Sequence, residues 1–398
     1  MNRKLGRVDR PFLIALTILV AFGLVMVFSA SMYDATVSGD AGYAMFLKQF
    51  GFVCVGALFM LWLSRRNYRM FNSRRLTTII FVFSFLLLLA VFIPGIGVEV
   101  NGARRWINLI VTTFQPSELA KVAGIMYLAC LLSKEPELLK KSAYGNWKTV
   151  KKDGMDYAGF LGGCKGLSEW RGFRCYVPIG LLCGATIIEP SMSAALAIGV
   201  GMFFVLYYGG IRLITTLPIM ITGGAGIAAA LIVEPWRIER ILVLFGRGSL
   251  DYQITQSLLA IGTGGIFGQG LGNGKQKFLF LPELQNDFIV ANIGEETGLL
   301  GCLLVLGLYG FLIYRGFKIA KAAPDRFGFL YTASVMTLLA FQVIVNIGVA
   351  ISVLPVTGMA LPFISAGGTS MIILFGMLGP ILNLSRQVDL SKKGRKKQ

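Results

Sequence analysis

Apolar stretches recur along most of this chain, and several are long enough to cross a lipid bilayer as a helix. With 55% hydrophobic residues and a mean hydropathy of +0.69, the sequence is too apolar for a soluble protein of 398 residues. The sequence therefore predicts an all-α, polytopic integral membrane protein with about ten transmembrane helices. The ten predicted spans are residues 11–32, 46–63, 77–93, 117–132, 177–188, 193–208, 213–233, 288–314, 328–352 and 365–385.

Basic residues are concentrated in alternate loops. With a cytoplasmic N-terminus, the predicted cytoplasmic segments hold 29 of the 38 Lys and Arg residues and 8 of the 20 acidic residues, as the positive-inside rule expects. Ten spans also place the basic tail 386–398 in the cytoplasm, whereas nine or eleven would expose one basic end outside. The net charge of +18 therefore follows membrane topology and does not indicate nucleic-acid binding.

Two long loops interrupt this pattern within what is otherwise a single transmembrane domain, residues 1–398. The cytoplasmic loop 133–176 is basic and is most simply a solvated loop held near anionic lipid headgroups. The extracytoplasmic loop 234–287, between the seventh and eighth helices, is apolar from Ile254 to Phe280. Part of that loop is therefore predicted to dip into the membrane interface or to re-enter the membrane, where its backbone needs protein cover.

The chain has no histidine, which excludes a Ser-His-Asp triad and histidine-ligated metal sites. A group that accepts a proton near neutral pH must then be a carboxylate or a lysine. The glycine-rich stretch 262–274 lacks the G-x-G-x-x-G pattern and the P-loop spacing, so nucleotide binding is not predicted. The six cysteines form no C-x-x-C pair, and no metal site is predicted.

Asp287 lies at the mouth of the eighth predicted span. Ala291, Gly294 and Gly298 follow it on one face of the helix, so the acid heads a stripe of small residues. Such a stripe either admits a ligand or lets another helix approach closely, and helix packing is the commoner of the two. Acidic groups at membrane depth, however, usually have a function.

Two other groups of charged residues are predicted on the outer side. Glu118 and Lys121 lie one turn apart on a helix that begins near Pro116, where they form either a catalytic pair or a buried ion pair that joins two helices. Arg104 and Arg105 could recognise phosphate or could simply anchor the chain at the membrane interface.

Several long motifs carry a resemblance that pattern analysis alone does not supply. The chain resembles the SEDS family (shape, elongation, division and sporulation) of bacterial cell-wall proteins over nearly its whole length, and it is more similar to the FtsW and SpoVE branch than to the elongation protein RodA. The motifs are residues 102–107, 115–118 with Lys121, 256–258, 268–272, 281–289, 294–296, 346–348 and 354–368.

The resemblance implies ten membrane helices in the bacterial plasma membrane and an active site that faces the extracytoplasmic side. It implies a peptidoglycan glycosyltransferase that polymerises lipid II into glycan strands for the division or sporulation septum. The implied partners are a class B penicillin-binding protein acting as transpeptidase, other divisome proteins and membrane lipids, with no nucleic acid. No tightly bound cofactor is expected, although a divalent cation, Mg²⁺ or Mn²⁺, could assist.

The family's essential aspartate corresponds to Asp287, with Glu118 and Lys121 as its motif neighbours. The implied reaction is an inverting glycosyl transfer that releases undecaprenyl pyrophosphate, so it needs a base and a positive charge for the leaving group. Asp287 is the predicted base, and Lys121 is predicted to keep it ionised. The residues predicted to bind substrate are Arg104, Arg105, Arg237, Arg240, Lys275, Lys277 and Glu295.

Three positions depart from the family pattern. Gln285-Asn286 stands where many relatives have His-Thr, Glu189-Pro190-Ser191 replaces a pattern that often ends in Asp, and Ala366 replaces a frequent Tyr. Two alternative functions stay open at this point. A lipid II flippase would use the same lipid, and a noncatalytic divisome scaffold would account for the small-residue helix faces.

Overall fold

The computed structural model describes residues 6, 8–37, 43–100, 103–109, 112–136, 138, 174–211, 224, 252–278 and 280–388. Within these residues the chain is mainly helical, with one short 3-10 helix at Tyr68–Asn72 and a small β-sheet. The α-helices are α1 Arg10–Val37, α2 Ala44–Arg65, α3 Arg74–Ala90, α4 Pro116–Lys134, α5 Val177–Ile188, α6 Met192–Tyr208, α7 Tyr252–Gly264, α8 Ile289–Lys321, α9 Arg326–Ala350 and α10 Thr369–Gln387.

Nine of the ten predicted spans overlap one of these helices, which confirms the prediction of a polytopic helical membrane protein. The seventh span, 213–233, lies outside the described residues apart from residue 224, as do most of the loop 133–176 and most of the basic tail. Within the described part of the chain, α1, α2, α8, α9 and α10 are long and apolar enough to cross a membrane, and α5 and α6 are shorter apolar helices. Helix α7 lies inside the loop 234–287, where no span was predicted.

Hydrogen bonds and ion pairs between helix ends show that the ends gather in two groups. Helix α10 packs along α2, α8 packs against α1, α7 and α9, and α4 contacts α3, α6 and α9. We refer to the two groups as the Asp287 end and the Asp325 end. The small sheet and the starts of α4, α6, α8 and α10 lie at the Asp287 end, which is the predicted extracytoplasmic side.

Ion pairs hold the Asp325 end together. The Asp325 carboxylate caps the start of α9 by accepting a hydrogen bond from the backbone N–H of Gly328 at 2.7 Å, and it also pairs with Arg69 at 3.0 Å. Buried Asp9, just before α1, pairs with Arg315 near the end of α8. These contacts join the segments around Asp9, Arg69 and Asp325 at one end of the helix bundle.

A three-stranded antiparallel sheet occupies the loop between α3 and α4. Its strands are β1 Gly97–Val100, β2 Ala103–Asn108 and β3 Thr113–Phe114, in the order β1-β2-β3. The Thr369 hydroxyl at the start of α10 donates to the backbone carbonyl of Thr113 at 3.0 Å, which fixes the sheet to the bundle. The all-α prediction missed this sheet because its strands are short and follow directly on a longer apolar run.

Helix α7 and the segment after it form a hairpin beside the first turns of α8, and we call residues 252–278 the α7 hairpin. Gly298 breaks the helical geometry of α8 with φ of 67°, a conformation that favours glycine, and a Cβ there would lie 2.4 Å from the backbone nitrogen of Gly268. Around this break the backbone N–H of Leu299 donates to the carbonyl of Gly265 at 2.9 Å. The hairpin backbone is thus hydrogen-bonded to α8 at this break, and its predicted entry into the membrane stays a prediction.

Candidate functional site

A tight turn carries Asp287 to the start of α8. The backbone carbonyl of Glu283 accepts hydrogen bonds from the N–H groups of Asn286 at 3.0 Å and Asp287 at 3.2 Å. The Asn286 side-chain amide also donates to the Glu283 carboxylate at 2.5 Å. Helix α8 begins two residues after Asp287, at Ile289, so the turn fixes the acid at the helix mouth as the sequence predicted.

Helix α9 holds this turn from one side. The Asn346 side-chain amide, four residues before the end of α9, donates to the backbone carbonyl of Asp287 at 2.9 Å. The same amide donates to the carbonyl of Met359 at 2.6 Å, and Asn346 is 1% exposed. A single buried side chain therefore ties the Asp287 turn to the segment that follows α9.

That segment, residues 351–368, holds the turn from the other side. The Ser365 hydroxyl donates to the carbonyl of Asn286 at 2.5 Å, and the backbone N–H of Ala366 donates to the carbonyl of Gln285 at 2.9 Å. The Gln49 amide on α2 donates in turn to the carbonyl of Ser365 at 3.3 Å. Three elements distant in sequence therefore position the turn.

The Asp287 carboxyl is half-buried, and its electrostatics suit a proton acceptor. Burial and the negative charge of Glu283 raise the pKa of Asp287, the positive charge of Arg105 lowers it, and the net result is a pKa of about 6. A carboxyl with a pKa of about 6 is roughly nine-tenths ionised at pH 7 and still holds a proton more readily than an exposed aspartate. Asp287 can therefore take up a proton near neutral pH.

Arg105 is the cation that acts on this carboxyl. It lies on β2, is half-buried, and donates from Nη2 to the backbone carbonyl of Pro190 at 2.6 Å. The same guanidinium acts on the carboxyl of Glu189, whose pKa burial raises to about 8. Arg105 therefore links two acids, Asp287 and Glu189, that are nearly a hundred residues apart in the sequence.

Glu118 and Lys121 form an ion pair at the start of α4. The Lys121 ammonium donates to the Glu118 carboxylate at 2.7 Å, and the two side chains are 6% and 16% exposed. The charged groups that act on Asp287 in the described structure are Glu283 and Arg105. Lys121 was predicted to be the electrostatic neighbour of Asp287, but in this structure the cation that acts on Asp287 is Arg105. Lys121 pairs with Glu118 in its own helix.

The α7 hairpin encloses one of the predicted substrate-binding cations. Lys277 is 8% exposed, lies 3.4 Å from the Glu296 carboxylate and donates to the backbone carbonyl of Gly272. The Ser29 hydroxyl on α1 also donates to Glu296, at 2.6 Å. Lys277 therefore points into the hairpin, so a contact with substrate would require the hairpin to rearrange.

Glu295 takes part in the same packing. Its carboxylate is 1% exposed and accepts hydrogen bonds from the backbone N–H groups of Lys275 at 2.7 Å and Gln276 at 3.2 Å. The Lys275 side chain, in contrast, is exposed. Glu295 holds the hairpin closed in this structure, and its predicted contact with substrate stays a prediction.

The other residues predicted to bind substrate are Arg104, Arg237 and Arg240. Arg104 is exposed and pairs with Glu99 at 3.3 Å across the β1-β2 hairpin, whereas Arg237 and Arg240 lie outside the described residues. Among the residues that the structure describes, no group of three His, Cys, Asp or Glu side chains converges as a metal cage. The predicted Mg²⁺ or Mn²⁺ stays a prediction, and no step is assigned to it.

Sequence analysis did not assign a role to three residues that shape this site. Glu189 is an acid between two apolar spans, a pattern that can be seen in the sequence. Its position in the chain does not indicate that it lies near Arg105. Asn346 and Ser365 belong to the motifs that carry the family resemblance, yet their hydrogen bonds go to backbone carbonyls of the Asp287 turn. Only the folded chain shows which carbonyls those are.

Comparison with protein families and curated proteins finds close matches. The family model for FtsW, RodA and SpoVE, described as cell cycle protein, matches residues 9–390. The chain is 34% identical over 392 residues to the probable peptidoglycan glycosyltransferase FtsW of Trichlorobacter lovleyi, covering 98% of this chain and 96% of that protein. It is 33% identical over 395 residues to the stage V sporulation protein E of Bacillus subtilis, covering 97% of this chain and 99% of that protein.

Solved structures share the fold. The rod shape determining protein RodA of Thermus thermophilus superposes with a TM-score of 0.65 at 26% identity, over 96% of this chain and 97% of that one. A chain from a peptidoglycan synthase complex, solved to describe the coordination of polymerization and crosslinking, superposes with a TM-score of 0.72 at 26% identity, over 96% and 98% of the two chains.

Proposed function

Because the chain belongs to the family of FtsW, RodA and SpoVE cell cycle proteins, we propose that it is a peptidoglycan glycosyltransferase that polymerises lipid II. It works in the bacterial plasma membrane, with the Asp287 end outward, during synthesis of the division or sporulation septum. The observation that carries the proposal is a half-buried acid, Asp287, whose turn is held by three elements and whose carboxyl is under the influence of the Arg105 charge.

The proposed reaction joins two lipid-linked sugars. The 4-hydroxyl oxygen of one sugar forms a bond with the anomeric carbon of the other, while the bond from that carbon to the pyrophosphate oxygen breaks. The proton of the hydroxyl passes to a base, undecaprenyl pyrophosphate leaves with the bonding electrons, and the configuration at the anomeric carbon inverts. The protein must therefore supply a base and a positive charge at the leaving group.

Asp287 and Arg105 fit these two needs. The Asp287 carboxylate is ionised at neutral pH and accepts the proton of the attacking hydroxyl. Arg105 carries a planar guanidinium that matches phosphate oxygens, and its charge acts on the Asp287 carboxyl. Arg104 and Lys275 are exposed cations that could extend the contact with pyrophosphate.

The partner is proposed to be a class B penicillin-binding protein, the transpeptidase that cross-links the new strands. One solved structure with this fold comes from a peptidoglycan synthase complex, which supports an assembly of this kind. A divalent cation, if used, would be brought by the substrate pyrophosphate, since Mg²⁺ commonly binds phosphates with few protein ligands. Removal of divalent ions with EDTA followed by Mg²⁺ or Mn²⁺ addition tests this directly.

The test of the function is glycan synthesis from lipid II by purified protein, with and without its transpeptidase. Asp287→Asn keeps the shape of the side chain but removes the base, so the polymerisation rate should fall by about 10²- to 10⁴-fold. The variant should still unfold at the parental temperature and copurify with the transpeptidase. If Asp287→Asn makes glycan at near the parental rate, the base is another group, and Glu118 or Glu295 is the next to test.

The same protein samples separate the two alternative functions. A flippase would move labelled lipid II across the membrane of sealed vesicles without making glycan. A noncatalytic scaffold would copurify with divisome proteins and do neither. Glycan product that disappears with Asp287→Asn supports the enzyme over both.

A further inference from the structure

Glu189 is a buried acid to which the proposed reaction assigns no role. It follows α5 directly, in the turn that leads to α6, and it is 1% exposed. Its Oε1 atom has no hydrogen-bond partner among the described residues. A buried carboxyl without partners is costly when it is charged, so its presence beside the site needs a physical reason.

The neighbour of Glu189 is the cation of the site. Arg105 donates to the carbonyl of Pro190, the residue after Glu189, at 2.6 Å, which brings the guanidinium to this turn. The charge of Arg105 acts on the Glu189 carboxyl and also on the Asp287 carboxyl. The charge of one guanidinium therefore acts on two acids, and the same guanidinium is the group proposed to bind the pyrophosphate.

Among the residues that the structure describes, the elements packed around this turn carry few other charges near it. Helix α4 presents Glu118 and Lys121 at this end, and these two side chains pair with each other. Arg104, beside Arg105 on β2, pairs with Glu99. The remaining titratable or cationic groups on α3, α4, α5, α6 and α9 lie further along those helices, and they are Arg74, Arg75, Tyr127, Cys130, Lys134, Cys183, Tyr207, Tyr208, Arg326 and Tyr331.

We propose that Glu189 is a positioning residue for Arg105, an inference that rests on the function proposed above. The neutral acid leaves the guanidinium directed to Asp287 and to the pyrophosphate of the ligand. The ionised carboxylate competes with that pyrophosphate for the same guanidinium. Glu189 would thus control, through one proton, how well the site holds the leaving group.

The direction of the pH effect follows from burial. Burial raises the pKa of Glu189 to about 8, so the acid is about nine-tenths neutral at pH 7 and about nine-tenths ionised at pH 9. If the neutral form is the active one, the polymerisation rate should fall roughly tenfold between pH 7 and pH 9. Glu189→Gln keeps a neutral side chain at every pH and should lose less than about twofold over that range.

The experiment measures initial rates of glycan synthesis from lipid II between pH 6.5 and pH 9, with purified protein bound to its transpeptidase. Glu135→Gln is the matched control, because Glu135 pairs with Arg74 and Arg174 at the Asp325 end, away from the site. The control should retain the alkaline decline that Glu189→Gln loses. An alkaline decline that is identical in the parent and Glu189→Gln overturns the proposal.

A second readout does not depend on turnover. Binding of inorganic pyrophosphate, measured by calorimetry at pH 7 and pH 9, should weaken several-fold more in the parent than in Glu189→Gln. If this difference is found but no variant makes glycan, the positioning role stands and the proposed function fails. If glycan is made but the two proteins lose pyrophosphate affinity equally, the function stands and the positioning role fails.

The parent protein alone gives a third readout in case Glu189→Gln does not fold. A buried neutral carboxyl absorbs in the infrared, and its band should disappear as the pH rises through about 8. Competition for Arg105 requires pyrophosphate to move this midpoint to higher pH, whereas sulfate at equal ionic strength should move it less. A midpoint unmoved by pyrophosphate contradicts the proposal.

Discussion

At the scale of single residues, Arg105 joins the two acids of the site. Its guanidinium lowers the pKa of Asp287 against the effect of burial. Arg105→Ala should therefore raise the pKa of Asp287 above about 6. The acid limb of the pH–rate profile, where the rate falls as Asp287 becomes protonated, should then move to higher pH. The rate at saturating lipid II should also fall, since the leaving group loses its cation. The pH profile of the variant from pH 5 to pH 8 checks both effects.

Arg105→Lys is the matched comparison. Lysine keeps the positive charge but lacks the planar fork that binds phosphate through two hydrogen bonds. It should hold the acid limb near the parental pH while it recovers only part of the rate. An acid limb that is the same in Arg105→Ala and Arg105→Lys would show that Arg105 does not set the ionisation of Asp287.

Lys121 tests whether the pair with Glu118 is structural or catalytic. Lys121→Ala leaves the Glu118 carboxylate largely buried without its partner, which should lower the free energy of unfolding by about 3–5 kcal/mol. A double variant, Lys121→Met with Glu118→Leu, removes both charges and should recover most of that loss. Thermal unfolding and glycan synthesis are measured on the same samples. Recovery of stability without recovery of rate assigns the pair to catalysis, and recovery of both assigns it to packing.

The sequence predicted part of this site for a physical reason. An acid at the mouth of an apolar span is a local feature, so Asp287 could be identified from its neighbours in the chain. The approach of Arg105 to Asp287 depends on how β2 is placed beside the turn, and short strands leave little trace in hydropathy. The inward orientation of Lys277 likewise depends on the α7 hairpin, which folds back against α8.

At the scale of helices and hairpins, glycines set how closely α7 meets α8. A Cβ at Gly264 would lie 1.9 Å from the carbonyl oxygen of Gly294, a contact that real side chains do not make. Gly264→Ala should therefore force the hairpin away from α8 and lower the free energy of unfolding by about 1–3 kcal/mol. Thermal unfolding in detergent measures the change.

Gly262→Ala is its matched control in the same helix. Nothing lies within 4 Å of a Cβ at Gly262, so alanine there should leave the stability unchanged or slightly raised. Because alanine has the higher helix propensity, equal destabilisation by the two substitutions would contradict the assignment of the effect to the close contact of Gly264 with α8.

Small residues on α8 and α9 are candidate contacts for a transmembrane helix of the transpeptidase, because small residues let helices approach closely. They are Gly298, Gly301, Gly307, Ala333 and Gly348. The space beside Gly298 is occupied by Gly268 of the α7 hairpin, and the space beside Gly348 is occupied by Leu354. Ala333 is 1% exposed. Gly307 on α8 has no atom of the described residues within 4 Å of a Cβ and lies among exposed leucines. The middle of α8 therefore offers the open face.

Gly307→Phe should reduce copurification with the transpeptidase by several-fold, because it fills a surface on which another membrane helix could pack. Gly180→Phe is the matched control, since Gly180 is an exposed glycine of α5 that also has open space around it. Both variants should retain parental thermal unfolding. Equal copurification of the two variants would place the docking face elsewhere.

At the scale of the whole molecule, the positive-inside distribution predicts which end of the bundle faces the cytoplasm. Single cysteines at Met70 and Leu109, in a cysteine-free background, lie at the Asp325 end and the Asp287 end respectively, and both positions are exposed. An impermeant thiol reagent added to intact cells should label Leu109→Cys and spare Met70→Cys. Labelling of both from outside would contradict the ten-span topology.

The path of the chain through the membrane was the most predictable feature, because length and apolarity are local properties of each span. Spans as short as α5 and α6 were still found, since charged and polar residues bound them on both sides. The α7 hairpin and the sheet were not placed, because each depends on contacts with residues far away in the sequence. Their positions required the folded chain.

The way the Asp287 turn is held also has an evolutionary consequence. Asn346, Ser365 and Ala366 all bind backbone carbonyls of the turn and none of its side chains. Mutations at Gln285 and Asn286 can therefore accumulate without displacing the aspartate, whereas Asn346 and Ser365 have little latitude to change. The residues beside Asp287 can therefore differ between related proteins, while the position of Asp287 is maintained by side chains sixty to eighty residues downstream.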